Sequence, residues 1–178
     1  MKYWCANFGQ EDCLRHGIAG MFWLMHYQYA EGDTGNRRNR IAVNYSRLRE
    51  VREGHMLVAY LPTNTFFAYG EVIAPRLRAT TPGVLDKIKD YVTQYQAYES
   101  GVVYFDDAIA YENHTSPWRA PEGTSYPVRI DVDAWQNYEP DGVVVNVVNE
   151  VPINERIFAL FELTQEQFER IVARLRSC

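Results

Sequence analysis

Between Val84 and Tyr98 the apolar positions Val84, Leu85, Ile88, Tyr91, Val92 and Tyr95 recur at steps of three and four. That period predicts an amphipathic helix over 84–98. A second helical pattern closes the chain. Phe168, Ile171, Val172 and Leu175 form an inner stripe, Thr164 and Gln167 read as a capping box, and Leu163 with Phe168 can staple the first turn. Cys13, Leu14, Gly17 and Ile18 share helical spacing and predict a short helix over Glu11–Ala19.

The period changes to two at Tyr126, Val128, Ile130 and Val132, which alternate with Arg129, Asp131 and Asp133. This predicts a half-buried antiparallel strand whose aspartates face solvent. Lys2–Ala6 reads as an opening strand. Gly54 turns the chain into a buried strand ending near Tyr60, and Pro62–Thr65 reads as a hairpin turn. Phe66–Ile73 is the return strand, with Gly70 marking a bulge or a close approach by another backbone or a ligand. Val143–Val148 and Ile157–Leu163 predict further strands. Met21–Tyr29 fits either a strand or an irregular segment. Glu31–Arg40, with Gly32 and Gly35, reads as an exposed loop.

Short strands with hairpin signals and few helices predict an α+β fold around a small, curved or closed antiparallel β-barrel with flanking helices. The 178 residues suit a single domain over 1–178. There is no repeat, no linker, no signal peptide and no long apolar run. Cys5, Cys13 and Cys178 make an odd count without metal-ligand spacing. A reduced, cytoplasmic setting is expected, with no metal or other cofactor.

The net charge of −5 argues against wholesale electrostatic binding of nucleic acid, but the charge is uneven. Residues 1–90 hold 12 basic and 9 acidic side chains; residues 91–178 hold 6 and 14. Six arginines (Arg37, Arg38, Arg40, Arg47, Arg49 and Arg52) fall in one short stretch. Guanidinium groups are planar bidentate donors suited to phosphate. The blander alternative is a solvated face balanced by Glu50 and Glu53.

Catalytic motifs are missing. No glycine loop cradles phosphate, and His16, His26, His55 and His114 are scattered. The chain is therefore read as a binder and not an enzyme. Thirteen tyrosines and four tryptophans point toward stacking. Trp23 and Trp118 lie in polar, loop-like surroundings and can wall a planar ligand. Asn7, Gln10, Asn44 and Ser46 can contact a base edge, and Arg37, Arg38 and Arg40 can contact phosphates. Those three needs are the ones a flipped base imposes. A β core rich in tyrosine explains the aromatics equally well.

Several stretches resemble the PUA-like group that contains the EVE and YTH families. Lys2-Tyr3-Trp4 looks like the EVE first strand. Asn7–Asp12, a short helix and then Gly20-Met21-Phe22-Trp23 look like the YTH order of polar loop, helix and first cage tryptophan. Arg52–Tyr60 followed by Phe67–Val72 is similar to the shared hairpin. Ser116-Pro117-Trp118 followed by Tyr126–Val132 looks like the second cage tryptophan and its strand, and Leu163–Phe168 resembles the closing EVE helix. The resemblance implies a PUA-like barrel that reads a modified base, methylated in the main expectation, in a cage of Trp23 and Trp118. It implies modified DNA ahead of RNA as partner, no membrane, and a nuclease or motor as partner or fusion in modification-dependent restriction. The alternatives are a PUA-like RNA binder without such selectivity, a small pocket enzyme, or a protein-interaction domain.

Overall fold

A computed structural model describes residues 1–25, 35–62, 64–76, 92–105, 128–152 and 159–178. Of Arg37, Val92, Thr93, Gln94 and Phe105 it describes the backbone alone. In chain order the elements are β1 (Tyr3–Asn7), α1 (Glu11–Gly20), β2 (Phe22–Met25), α2 (Gly35–Leu48), β3 (Met56–Leu61), β4 (Thr65–Glu71), α3 (Val92–Ala97), β5 (Val103–Phe105), β6 (Val128–Asp131), β7 (Val143–Val144), β8 (Leu160–Leu163) and α4 (Gln165–Leu175). Short 3-10 turns cover Tyr98–Ser100 and Val148–Glu150.

The fold is α+β, as the patterns imply, but the described strands form two sheets and no closed barrel. The larger sheet runs β7-β4-β3-β1-β8, and the smaller runs β2-β6-β5. The larger sheet is mixed, because β1 pairs with β3 in parallel, Tyr3 opposite Met56, while its other neighbour β8 is antiparallel. Parallel pairing needs a crossover. Among the described residues, α1, β2 and α2 lie between the two strands in the chain.

The opening strand, the first helix, the hairpin and the closing helix form where the patterns predict them. The hairpin turn carries Asn64 at φ 60°, a left-handed conformation that asparagine tolerates. At Gly70 a Cβ would meet the Ala134 carbonyl oxygen at 2.8 Å. The expected close approach there is by backbone. In α4 the capping box is complete: Gln167 N donates to Thr164 Oγ1 at 3.2 Å and Thr164 N to Gln167 Oε1 at 2.9 Å. The stripe differs by one position. Gln167, Ile171, Val172 and Leu175 are buried, whereas Phe168 is half-buried and stacks on Tyr3 with ring centres 4.5 Å apart.

Three expectations are corrected. Residues 35–40 are the first turns of α2 and not a loop; its buried stripe Ile41, Asn44, Tyr45 and Leu48 has ideal helical spacing. Val143–Val148 shrinks to a two-residue strand followed by a 3-10 turn. All four β6 residues are buried, so Asp131 does not face solvent. It is fully buried and accepts from Arg129 Nε at 2.7 Å, from the Tyr104 hydroxyl at 2.9 Å and from the Arg76 backbone N–H at 2.8 Å. An alternating pattern cannot tell a solvated polar face from one closed by such a network. Of the predicted helix 84–98, residues 84–91 lie outside the described residues.

Two apolar clusters hold the layers together. One gathers Trp4, Leu14, Trp23, Ile41, Tyr45 and Leu57 between β1, β3 and the helices α1 and α2. The other packs α4 through Ile171 and Leu175 against Cys5, Phe66 and Phe161 on the opposite face of the larger sheet. No helix among the described residues is long and apolar enough to cross a membrane.

Candidate nucleic-acid interface

β1 ends at Asn7, between Tyr60 of β3 and the residue before β8. Asn7 N donates to the Ala159 carbonyl at 2.9 Å, and Phe8 N to the Tyr60 carbonyl at 3.0 Å. The Asn7 side chain folds over the following turn, its Oδ1 accepting from Gly9 N at 2.7 Å. That contact is the local hydrogen bonding by which asparagine favours turns. Its Nδ2 finds no acceptor among the described residues. Gln10 then opens α1 as the N-cap in an extended conformation, yet its side chain makes no capping hydrogen bond. Two half-buried amides thus sit within four residues at the C-terminal end of β1.

Trp23 reaches the same end from the smaller sheet. Its indole N–H donates to the Asn7 carbonyl at 3.1 Å. The ring is fully buried in the main apolar cluster. This corrects the expectation of an open stacking wall. β2 alternates into the core where the polar run after it suggested a loop, and the indole N–H, the one polar atom that would resist burial, is satisfied by backbone. Trp118 lies outside the described residues.

Asn44 is also corrected. It is 3 % exposed, on the buried stripe of α2, and its Oδ1 accepts from Ala159 N at 3.0 Å. Its side-chain oxygen is committed to backbone. Ser46, two residues on, is turned about 200° around the helix. It is exposed and borders a recess of about 420 Å³ with Arg49, Glu50, Arg52 and Glu99. The four predicted base contacts therefore divide: Asn7 and Gln10 stay together at the strand end, Asn44 lies behind them, and Ser46 faces away.

The arginine cluster is divided as well. Helical rotation places Arg38 and Arg49 on one side of the buried stripe and Arg40 and Arg47 on the other. Arg47 Nη1 donates to the Leu160 carbonyl at 2.7 Å, Arg49 Nη1 to Gln96 Oε1 at 3.0 Å, and Arg52 to the Arg49 and Val51 carbonyls. Those three brace the helix. Arg38 and Arg40 are exposed near its start, and the Arg37 side chain lies outside the described residues.

The register of the smaller sheet adds a relationship the sequence did not reveal. Met25 pairs with Val128, and Val128 pairs with Phe105. The three form one row across β2, β6 and β5. Segments 26–34 and 106–127, the second carrying Trp118, therefore both attach at this one end of the sheet, two residues beyond Trp23. No local pattern carries this row, because it depends on pairing Met25 with Val128, about a hundred residues away.

Among the described residues no group of three or more His, Cys, Asp or Glu could hold a metal ion. Cys5, Cys13 and Cys178 are free thiols, and burial pushes the Cys5 thiol well above its usual range.

No protein-family model matches the chain, and no curated protein matches it. Its neighbours among solved structures include domains of the DUF55 type. One is the DUF55 domain of human thymocyte nuclear protein 1, 11% identical, with a TM-score of 0.47 over 98% of each chain. Another is human THYN1 protein in complex with 5-methylcytosine-containing DNA, 10% identical, with a TM-score of 0.45 over 98% of each chain. Rpa0253 from Rhodopseudomonas palustris is 11% identical, with a TM-score of 0.46 over 99% of this chain and 94% of that one. Such values are too low to transfer residue roles.

Proposed function

We propose that this chain is a nucleic-acid-binding reader that takes a modified base at the C-terminal end of β1 and holds it without reacting with it. One observation carries the reading: the Trp23–Asn7 hydrogen bond joins the amide-bearing end of β1 to the end of the smaller sheet from which the Trp118 segment departs. In this reading Trp118 stacks on the base, and the Asn7 and Gln10 amides contact its edge. Trp23 is the floor that fixes Asn7. Arg37, Arg38 and Arg40, at the start of α2, contact the flanking phosphates. The preferred partner is modified DNA ahead of RNA, and the chain supplies recognition to a nuclease or motor in modification-dependent restriction.

Magnitudes shape the reading. Stacking contributes roughly 1–3 kcal/mol per base. One buried methyl adds about 0.8 kcal/mol, only a few-fold in affinity. Discrimination of a methyl mark thus requires a dry, fitted pocket in addition to the extra contact area.

The test is a binding series with oligonucleotides carrying methylated adenine, methylated or hydroxymethylated cytosine, or no mark, each single- and double-stranded. One marked strand should bind more tightly than its unmarked twin, and Trp118→Ala should cost roughly 5- to 150-fold on that strand, matching the loss of about 1–3 kcal/mol of stacking. Equal affinity for every strand, with binding that simply falls with salt, would make the protein a general nucleic-acid binder and overturn the reading.

A further inference from the structure

Asn44 is a buried amide on a helix whose neighbouring face carries arginines, and its hydrogen bond runs to backbone far along the chain. The Ala159 peptide receives it: Ala159 N donates to Asn44 Oδ1 at 3.0 Å. The Ala159 carbonyl in turn accepts from Asn7 N at 2.9 Å, and the Asn7 carbonyl accepts from Trp23 Nε1 at 3.1 Å. Three consecutive hydrogen bonds thus connect α2, the approach to β8, the end of β1 and β2. Asn44, Ala159 and Trp23 are all buried. A second link runs beside the first, because Arg47, one turn after Asn44, donates to the Leu160 carbonyl at 2.7 Å. α2 therefore grips the backbone on both sides of the Ala159–Leu160 bond.

We infer that Asn44 is a positioning residue, which sets the arginine-bearing start of α2 in register with the base-reading end of β1 through the Asn44–Ala159–Asn7–Trp23 chain. The inference rests on the reader function proposed above and deepens it. Arg40 is one turn ahead of Asn44 on the same helix, so a shift of α2 at Asn44 moves the phosphate contacts relative to Asn7 and Gln10. Buried hydrogen bonds in series polarise one another and fix geometry more tightly than separate pairs. An apolar residue at 44 would satisfy packing equally well, but it would leave the Ala159 N–H without a partner and the register unset.

The experiment compares Asn44→Ala with Asn44→Asp, which keeps an acceptor oxygen in the same place. Two readouts are taken on each folded variant. The first is the indole N–H resonance of Trp23 in a proton–nitrogen correlation spectrum, assigned by its disappearance in Trp23→Phe. It requires no ligand. Asn44→Ala should shift that resonance, and Asn44→Asp should restore it toward the wild-type position. The second is the affinity ratio between the preferred marked strand and its unmarked twin. Asn44→Ala should lower that ratio roughly two- to tenfold, the span of one net hydrogen bond, with restoration in Asn44→Asp. An unmoved indole resonance overturns the inference whatever the binding data show. A ratio that stays at the wild-type value while the resonance shifts also overturns it, leaving Asn44 a stabilising residue only. Absence of any preference in the wild-type protein overturns the reader function, and the resonance then still decides whether the hydrogen-bonded chain couples α2 to Trp23. Should Asn44→Ala fail to fold, Asn44→Ser, which shortens the acceptor, takes its place with the same expected directions.

Discussion

Arg129 and Asp131 lie two residues apart on one strand, with their side chains joined at 2.7 Å and almost no access to water. The Arg129 guanidinium also lies over the Phe22 ring at 4.2 Å. Asp131 accepts from three donors, so its charge is well served, and the Arg129 guanidinium also stands over the Tyr104 ring at 5.7 Å. The two partners should differ on substitution. Asp131→Asn removes the buried carboxylate on which three donors converge and should cost about 3–5 kcal/mol, the range for breaking a buried ion pair. Arg129→Met keeps the apolar stem and leaves Asp131 with Tyr104 and the Arg76 N–H, so its cost should be clearly smaller. Urea unfolding of both variants checks the order.

Trp23→Ala should destabilise by about 3–5 kcal/mol, the range for removing a buried aromatic side chain. Trp23→Phe should cost less in packing but still expose the unpaired Asn7 carbonyl as a loss of about 1–3 kcal/mol. Denaturant midpoints measure both. Retention of wild-type stability by Trp23→Ala would contradict the core placement.

His55 should make stability depend on pH. Its Nδ1 accepts from Trp4 Nε1 and from Arg52 N, both at 3.2 Å, which places the proton of the neutral ring on Nε2. Burial first, then the positive charges of the N-terminus, Lys2 and Arg52, lower its pKa from 6.5. The unfolded chain therefore takes up the proton before the folded one does. This contribution is complete above pH 6.5 and is lost as pH falls through the lowered folded value. Thermal midpoints from pH 7.5 down to 5.5 should fall more steeply for wild type than for His55→Gln. Parallel curves would remove His55 as the cause.

Thr164→Ala removes the acceptor for Gln167 N and should cost about 1 kcal/mol. Thr164→Ser keeps that acceptor and should stay within a few tenths of wild type. Thermal unfolding separates the two.

Strong local patterns in the chain translated directly into structure. The Thr164–Gln167 capping box and the return strand read at Phe66–Ile73, which forms as Thr65–Glu71, need only neighbours in sequence, and both form. What failed depended on distant partners. Asp131 alternates as a solvated residue would, and only Tyr104, Arg129 and Arg76 around it explain its burial. Residues 35–40 are polar throughout, which hid the start of α2; Asn44, on its buried stripe, is explained by Ala159, 115 residues away. Trp23 sits before a polar run, but β2 turns its ring inward. Of the candidate site, Asn7 and Gln10 were readable as neighbours in one loop, while their relation to Trp23 needed the pairing of two sheets.

The parallel pairing of β1 also bears on synthesis. Its partners arrive late: Met56 on one side, and Leu163, 160 positions after Tyr3, on the other. Closing so long an interval is entropically costly and slow. A ribosome must therefore release the chain as far as Leu163 before this strand gains its second neighbour. Until then Trp4 and Cys5, buried in the finished molecule, remain on a sheet edge within reach of chaperones.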